Sequence, residues 1–70
     1  MPTLSAVIVR GESYFVATCP ELGTVSQGMS VDEAIANLKE ATELYLEEVP
    51  FEKPLSRAVL TTFEVEYAAQ

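Results

Sequence analysis

The stretch that decides the fold of this chain is SVDEAIANLKEATELYLEEV, residues 30–49. It opens with a capping box, in which the Ser30 hydroxyl accepts a hydrogen bond from the Glu33 amide and the Glu33 carboxylate reaches back to the Ser30 amide. A helix is therefore predicted to start at residue 31. Because no proline interrupts the stretch before Pro50, the helix is predicted to continue for about five turns.

This helix is predicted to be amphipathic, since successive residues turn by about 100° around its axis. One face carries most of the acidic side chains of the stretch. The opposite, mainly apolar face is the one expected to pack against the rest of the fold; it consists of Val31, Ala34, Ile35, Leu38, Ala41, Thr42, Tyr45, Leu46 and Val49.

Three strands are predicted before the helix. Residues 3–10 are rich in β-branched side chains, residues 14–18 resume the pattern after the turn at 11–13, and residues 24–27 form a short third strand. The short turn predicts that the first two strands pair as an antiparallel hairpin. Apolar residues on both sides of the first strand predict that it is largely covered on both faces.

A final strand is predicted from Ala58 to about Tyr67, beyond the helix-breaking residues Pro50 and Pro54. Apolar residues alternate along it, as they do in strands. The resulting order, βββαβ, predicts a single α+β domain over residues 1–70, with an antiparallel three-stranded sheet, one helix and a last strand.

Size and composition predict self-association. A chain of 70 residues buries a small core, and its single cysteine and lack of histidine exclude an internal disulfide and the usual nitrogen ligand of zinc. A homodimer or tetramer is therefore expected. The last strand has apolar residues on both faces, and its hypothetical pairing edge consists of Val59, Thr61, Phe63 and Val65.

Charge predicts the kind of partner. The net charge is −7, and residues 30–49, with six acids and one lysine, hold −5 of it. Such a field repels nucleic-acid phosphates and anionic membranes and favours a basic protein. The hypothetical partner-binding residues on the polar helix face are Glu40, Glu43, Leu44 and Glu47; the alternative is a plain solvated surface. The N-terminus shows no secretory signal, so a cytoplasmic location is expected.

Catalysis is not expected. A nuclease with two metal ions needs clustered carboxylates, but Asp32 is the single aspartate and the glutamates outside the helix are dispersed along the chain. Cys19 has no histidine to activate it and is predicted to pack as a small apolar side chain. No catalytic residue, metal or cofactor is therefore predicted.

Three stretches resemble the N-terminal domain of the HicB antitoxin family: YFVATCPEL (14–22), VSQG (25–28) and SVDEAIANLKEATELYL (30–46). The resemblance implies a partial ribonuclease H-like fold. It also implies that the chain binds and neutralises a small basic mRNA-cleaving toxin of the HicA type. Family members that repress their own operon carry a further DNA-binding segment, which we do not find here, so autoregulation by this chain is not expected. The alternative is a stand-alone structural or regulatory homo-oligomer without a toxin partner.

Overall fold

The computed structural model describes residues 3–49 and 58–68. It contains three strands followed by one helix: β1 (Val7–Arg10), β2 (Phe15–Cys19), β3 (Thr24–Gly28) and α1 (Val31–Glu48). The predicted α+β class and βββα order are confirmed. β1 is shorter than predicted, because residues 3–6 precede the paired part of the ladder.

The sheet is antiparallel with the order β1-β2-β3, and the predicted hairpin between the first two strands is confirmed. The Gly11 amide donates to the Tyr14 carbonyl at 2.7 Å and closes the first turn. In the second turn the Gly23 amide donates to the Cys19 carbonyl at 2.7 Å. Gly23 has a φ of 79°, a left-handed conformation that a residue with a Cβ adopts only under strain.

The core lies between one face of the sheet and α1. Ala17 and Cys19 from β2 meet Ala34 and Leu38 from the helix, and within the described ranges these four are the buried hydrophobic residues. The half-buried side chains packed around them are Leu4, Ile8, Phe15 and Leu22. Small side chains at the centre allow the helix to lie close to the sheet, but they provide little apolar area to stabilise the fold.

The opposite face of the sheet is not covered by any described residue. Val9 and Val25 on this face are 61% and 56% exposed. The prediction that the first strand is covered on both faces is therefore wrong. A single helix covers one face of a sheet, and a second layer is needed to bury the other.

The start of α1 confirms half of the predicted capping box. The Glu33 amide donates to the Ser30 hydroxyl oxygen at 3.0 Å. The Glu33 carboxylate, however, accepts a hydrogen bond at 2.7 Å from the amide of Met29, one residue earlier than predicted. Ser30 has the extended backbone (φ −141°, ψ 165°) that is usual for an N-cap residue.

The predicted final strand is not formed. Residues 58–68, here called the C-terminal segment, have no regular secondary structure. Phe63 is 84% exposed and Val65 is 71% exposed, so their side chains are not packed against the sheet or the helix. Alternating apolar residues are suited to a strand, but a strand forms only when a neighbouring edge accepts and donates its backbone hydrogen bonds.

Candidate functional site

The hypothetical partner-binding residues lie together on α1. Glu40, Glu43, Leu44 and Glu47 are separated by three, four and seven positions and are all exposed, so they share one helix surface, called here the acidic face. Leu44 lies among the three carboxylates with 57% of its surface exposed. The arrangement is an apolar side chain surrounded by negative charge.

Negative charge on α1 is not balanced at its C-terminal end. Asp32 and Glu33 in the first turn are favoured by the helix dipole, but Glu47 and Glu48 lie in the last turn, which has no basic residue. Glu43 and Glu47 are also like charges one turn apart, which costs about 0.2–0.5 kcal/mol. The end of the helix therefore carries a negative field that does not stabilise the helix itself.

Two polar contacts fix the helix on β3, and sequence reasoning did not find them. The Thr24 and Thr42 hydroxyl groups form a hydrogen bond of 2.8 Å, and Thr42 is buried. The Asn37 side-chain amide donates to the Gln27 carbonyl at 2.8 Å. The sequence does contain a signal for the first contact, since Thr42 is a polar residue on the apolar helix face. Its partner Thr24, however, is 18 residues away in the chain. These contacts fix the orientation of α1, and therefore of the acidic face, relative to the sheet.

Gly28 determines how closely the helix approaches the sheet. A Cβ atom at this position would lie 2.5 Å from the Ala34 amide nitrogen and 2.8 Å from the Glu33 carbonyl carbon. Both atoms belong to the backbone and cannot move aside cheaply. Only glycine therefore allows the helix N-terminus to rest on the end of β3.

Glu21 connects the turn after β2 to the residues before β1. Its carboxylate accepts hydrogen bonds from the Ser5 amide, at 3.0 Å to Oε1 and 3.1 Å to Oε2, and from the Cys19 thiol at 3.4 Å. The contacts with Ser5 are the main cause that lowers the pKa of Glu21 below its ordinary value. The role of Glu21 is thus structural, and Cys19 is buried in the core, as its sequence context predicted.

An apolar cavity of about 330 Å³, called here the groove, lies between α1 and the residues leading into β1. Its polar lining consists of Ser5, Lys39, Thr42 and Glu43. Its apolar lining consists of Leu4, Ala6, Cys19, Ile35, Leu38 and Leu46. Glu43 belongs to both the groove and the acidic face, so the two surfaces are contiguous. Sequence reasoning placed Ile35 and Leu46 on the packed face and did not predict this opening.

The chain is similar to a UPF0150 protein of Helicobacter pylori strain J99. The two sequences are 52% identical over 44 residues, a match that covers 61% of this chain and 61% of the relative. The match thus spans less than two thirds of either protein, and the relative's name states no activity. No family model matches the chain, and no solved structure matches it.

Across residues 3–49 and 58–68, no three histidine, cysteine or acidic side chains are grouped so as to hold a metal ion. No helix within the same ranges has the length and apolar character needed to span a bilayer.

Proposed function

We propose that this chain is a cytoplasmic antitoxin of the HicB type, which binds and neutralises a small basic mRNA-cleaving toxin. The observation that carries the proposal is the acidic face, where exposed Glu40, Glu43 and Glu47 surround exposed Leu44. Supporting it, the sequence resembles HicB antitoxins over residues 14–46, which include Glu40, Glu43 and Leu44. The homology to a UPF0150 protein is compatible with that assignment.

Electrostatic attraction would act first in this mechanism. The −5 charge of residues 30–49 attracts a basic partner over roughly a Debye length, which is about 8–10 Å near physiological salt. Attraction of this kind speeds encounter and orients the partner more than it adds to final affinity. Glu47 and Glu48, which do not benefit the helix, would contribute most effectively in this role.

Contact at Leu44 would act second. Binding energy in protein interfaces is concentrated in a few central side chains that lose their water, with polar residues around them. Leu44 has that placement, since carboxylates lie one helical turn before and after it. The chain would inhibit by covering the basic surface with which the toxin binds RNA, and the chemistry would remain that of the toxin.

The proposal is tested with a purified HicA-type toxin and stopped-flow binding. The double variant Glu40→Gln/Glu47→Gln should associate about tenfold more slowly than wild type at low salt, and the difference should shrink at high salt. The matched control Glu12→Gln/Glu64→Gln removes the same amount of charge from exposed positions outside the helix. Equal slowing by both variants would show that net charge, and not the acidic face, attracts the toxin.

Leu44→Ala provides the second arm of this test. Truncation of a central contact should mainly speed dissociation and weaken binding by about 1–2 kcal/mol. The variant should also lose part of its ability to block RNA cleavage by the toxin. If a HicA-type toxin does not bind wild-type protein at micromolar concentrations, the antitoxin proposal is wrong.

A second candidate function is a stand-alone structural or regulatory homo-oligomer without a toxin partner. The exposed apolar residues of the C-terminal segment favour it, because such residues usually mark an association surface when they are contiguous. Self-association, as a homodimer or tetramer, is part of both candidate functions. Copurification of a small basic protein from the native source would distinguish the antitoxin from the stand-alone oligomer.

A further inference from the structure

The apolar face of α1 is wider than the part that the sheet covers. Ala34, Leu38 and Thr42 form the buried stripe. Ile35, on the flank of that stripe, remains 42% exposed and lines the groove together with Leu46. The sheet in this arrangement therefore leaves one side of the apolar helix face open, and the groove is the space beside it.

The groove lies at an edge of the sheet to which no strand within residues 3–49 and 58–68 is paired. The order β1-β2-β3 places β1 at the edge, and its described ladder is with β2 alone. Leu4 and Ala6, just before β1, form the wall of the groove on this side. An extended peptide added at this edge would gain backbone hydrogen bonds and could direct alternate side chains into the groove.

The C-terminal segment has the pattern that such a site requires. Val59, Phe63, Val65 and Tyr67 recur at odd positions and are 71–84% exposed. Glu64 and Glu66 occupy the intervening positions of residues 63–67, so this part of an extended segment would have one apolar face and one charged face. Among the described residues, the C-terminal segment thus has no neighbouring edge to pair with, and β1 has no strand on the side away from β2.

We propose that two copies exchange their C-terminal segments, each lying along the β1 edge of the other and inserting Phe63 and Val65 into its groove. A second copy is the occupant because Phe63 and Val65 are exposed and no residue in 3–49 or 58–68 of the same chain covers them. Reciprocal exchange forms a closed, two-fold symmetric dimer. The inference specifies the surface for the self-association proposed above and does not depend on toxin binding.

The size of the exchanged contact suits a stable dimer. An extended segment over residues 58–68 is about 35 Å long. Because a sheet layer with its side chains is about 10 Å thick, the segment covers roughly 350 Å² of the sheet edge and groove. Two exchanged segments and the two surfaces they cover would remove about 1,400 Å² from water. Specific protein interfaces commonly bury about 1,200–2,000 Å².

Disulfide crosslinking tests the position of the C-terminal segment. Cys19 lines the groove and is the single cysteine of the chain, so a cysteine introduced into the segment has one native thiol with which to pair. In the Phe63→Cys variant, mild oxidation should produce a covalent dimer in which peptide mapping finds the bond between Cys19 and position 63. A disulfide requires Cα atoms within about 7 Å. The matched control Leu60→Cys is on the opposite face of the segment and should not link to Cys19.

A second cysteine pair keeps the test independent of the buried thiol. Ala6→Cys combined with Phe63→Cys and Cys19→Ser places one new thiol on the exposed wall of the groove and should also crosslink between copies. Phe63→Ser without added cysteines should raise the dimer dissociation constant at least tenfold, whereas Leu60→Ser should change it less than threefold. Circular dichroism on each variant verifies that α1 is intact.

The possible outcomes distinguish two questions: whether the protein self-associates, and whether the groove is the site of contact. Light scattering that finds wild-type monomers at high micromolar concentration would overturn both. A dimer in which neither cysteine pair crosslinks would retain self-association and overturn the groove as its site; the exposed valine face of the sheet would then be the next surface to test. A disulfide formed within one chain would show that the segment occupies its own groove, which overturns exchange between copies.

Discussion

Residues 15–19 and residues 58–67 carry similar alternations of apolar and β-branched side chains, but the two regions behave differently. In β2, Ala17 and Cys19 are 0% and 1% exposed, whereas Phe63 in the C-terminal segment is 84% exposed. β2 has a hydrogen-bonded neighbour on each side and a helix above it. The comparison shows that alternation specifies which side chains share a face, while a strand requires a neighbouring edge to pair with.

The largest loss of stability in the folded region is expected from Gly28→Ala. The new Cβ would clash with backbone atoms of Glu33 and Ala34, so either the helix or β3 must shift. We expect a loss of about 3 kcal/mol in the free energy of unfolding, measured by urea denaturation. Gly11→Ala is the matched control, because its Cβ would meet the side-chain ring of Tyr14, which can rotate away. A loss no larger than in the control would contradict the close-approach explanation.

Truncating one phenylalanine in each region, Phe15 in β2 and Phe63 in the C-terminal segment, compares how much each region contributes to stability. Phe15→Ala removes a half-buried ring packed against the core and should cost about 2 kcal/mol of unfolding free energy. Phe63→Ala in dilute solution, where copies are separate, should change stability by less than about 0.5 kcal/mol. A rising effect of Phe63→Ala with protein concentration would support segment exchange. Equal losses for the two variants in dilute solution would mean that the C-terminal segment packs on its own chain.

A smaller effect is expected at the start of α1. Ser30→Ala removes the acceptor for the Glu33 amide and should cost about 1 kcal/mol of unfolding free energy. Ser30→Asp supplies another capping oxygen and should restore most of the loss. Thermal melts of both variants would check this expectation, and no difference between alanine and aspartate would show that the cap contributes little.

The smallest effect is expected at Glu21 and should depend on pH. Its pKa is lower in the folded protein because the ionised carboxylate accepts hydrogen bonds from Ser5. The ionised form therefore stabilises the fold above the unfolded-state pKa, and this contribution is lost as pH falls through the lower folded-state value. Glu21→Gln should melt below wild type at about pH 7, with the gap narrowing toward about pH 3. A gap that does not change with pH would contradict this origin.

Local chemistry in the sequence was sufficient to predict the three strands and the helix, but not the fate of the C-terminal segment. The N-cap Ser30 predicted where α1 begins, and the helix-breaking Pro50 predicted where it ends. Glycine-containing turns marked the boundaries between the three strands. Helical spacing also placed Glu40, Glu43, Leu44 and Glu47 on the polar helix face, and in the structure all four are exposed on α1. Their role in binding a partner stays a prediction. These features were predictable because each depends on residues within one or two turns of one another.

Contacts between distant residues could not be predicted in the same way. The pairing of Thr24 with Thr42, the close approach at Gly28, the exposed outer face of the sheet and the groove all depend on how α1 lies across the strands. The sequence by itself determined the order βββα and the charge of the helix, because hydrogen bonding and side-chain periodicity act locally. Which apolar residues are buried depends on the tertiary structure, since burial requires a second surface, and the described part of the chain provides none for residues 59–68.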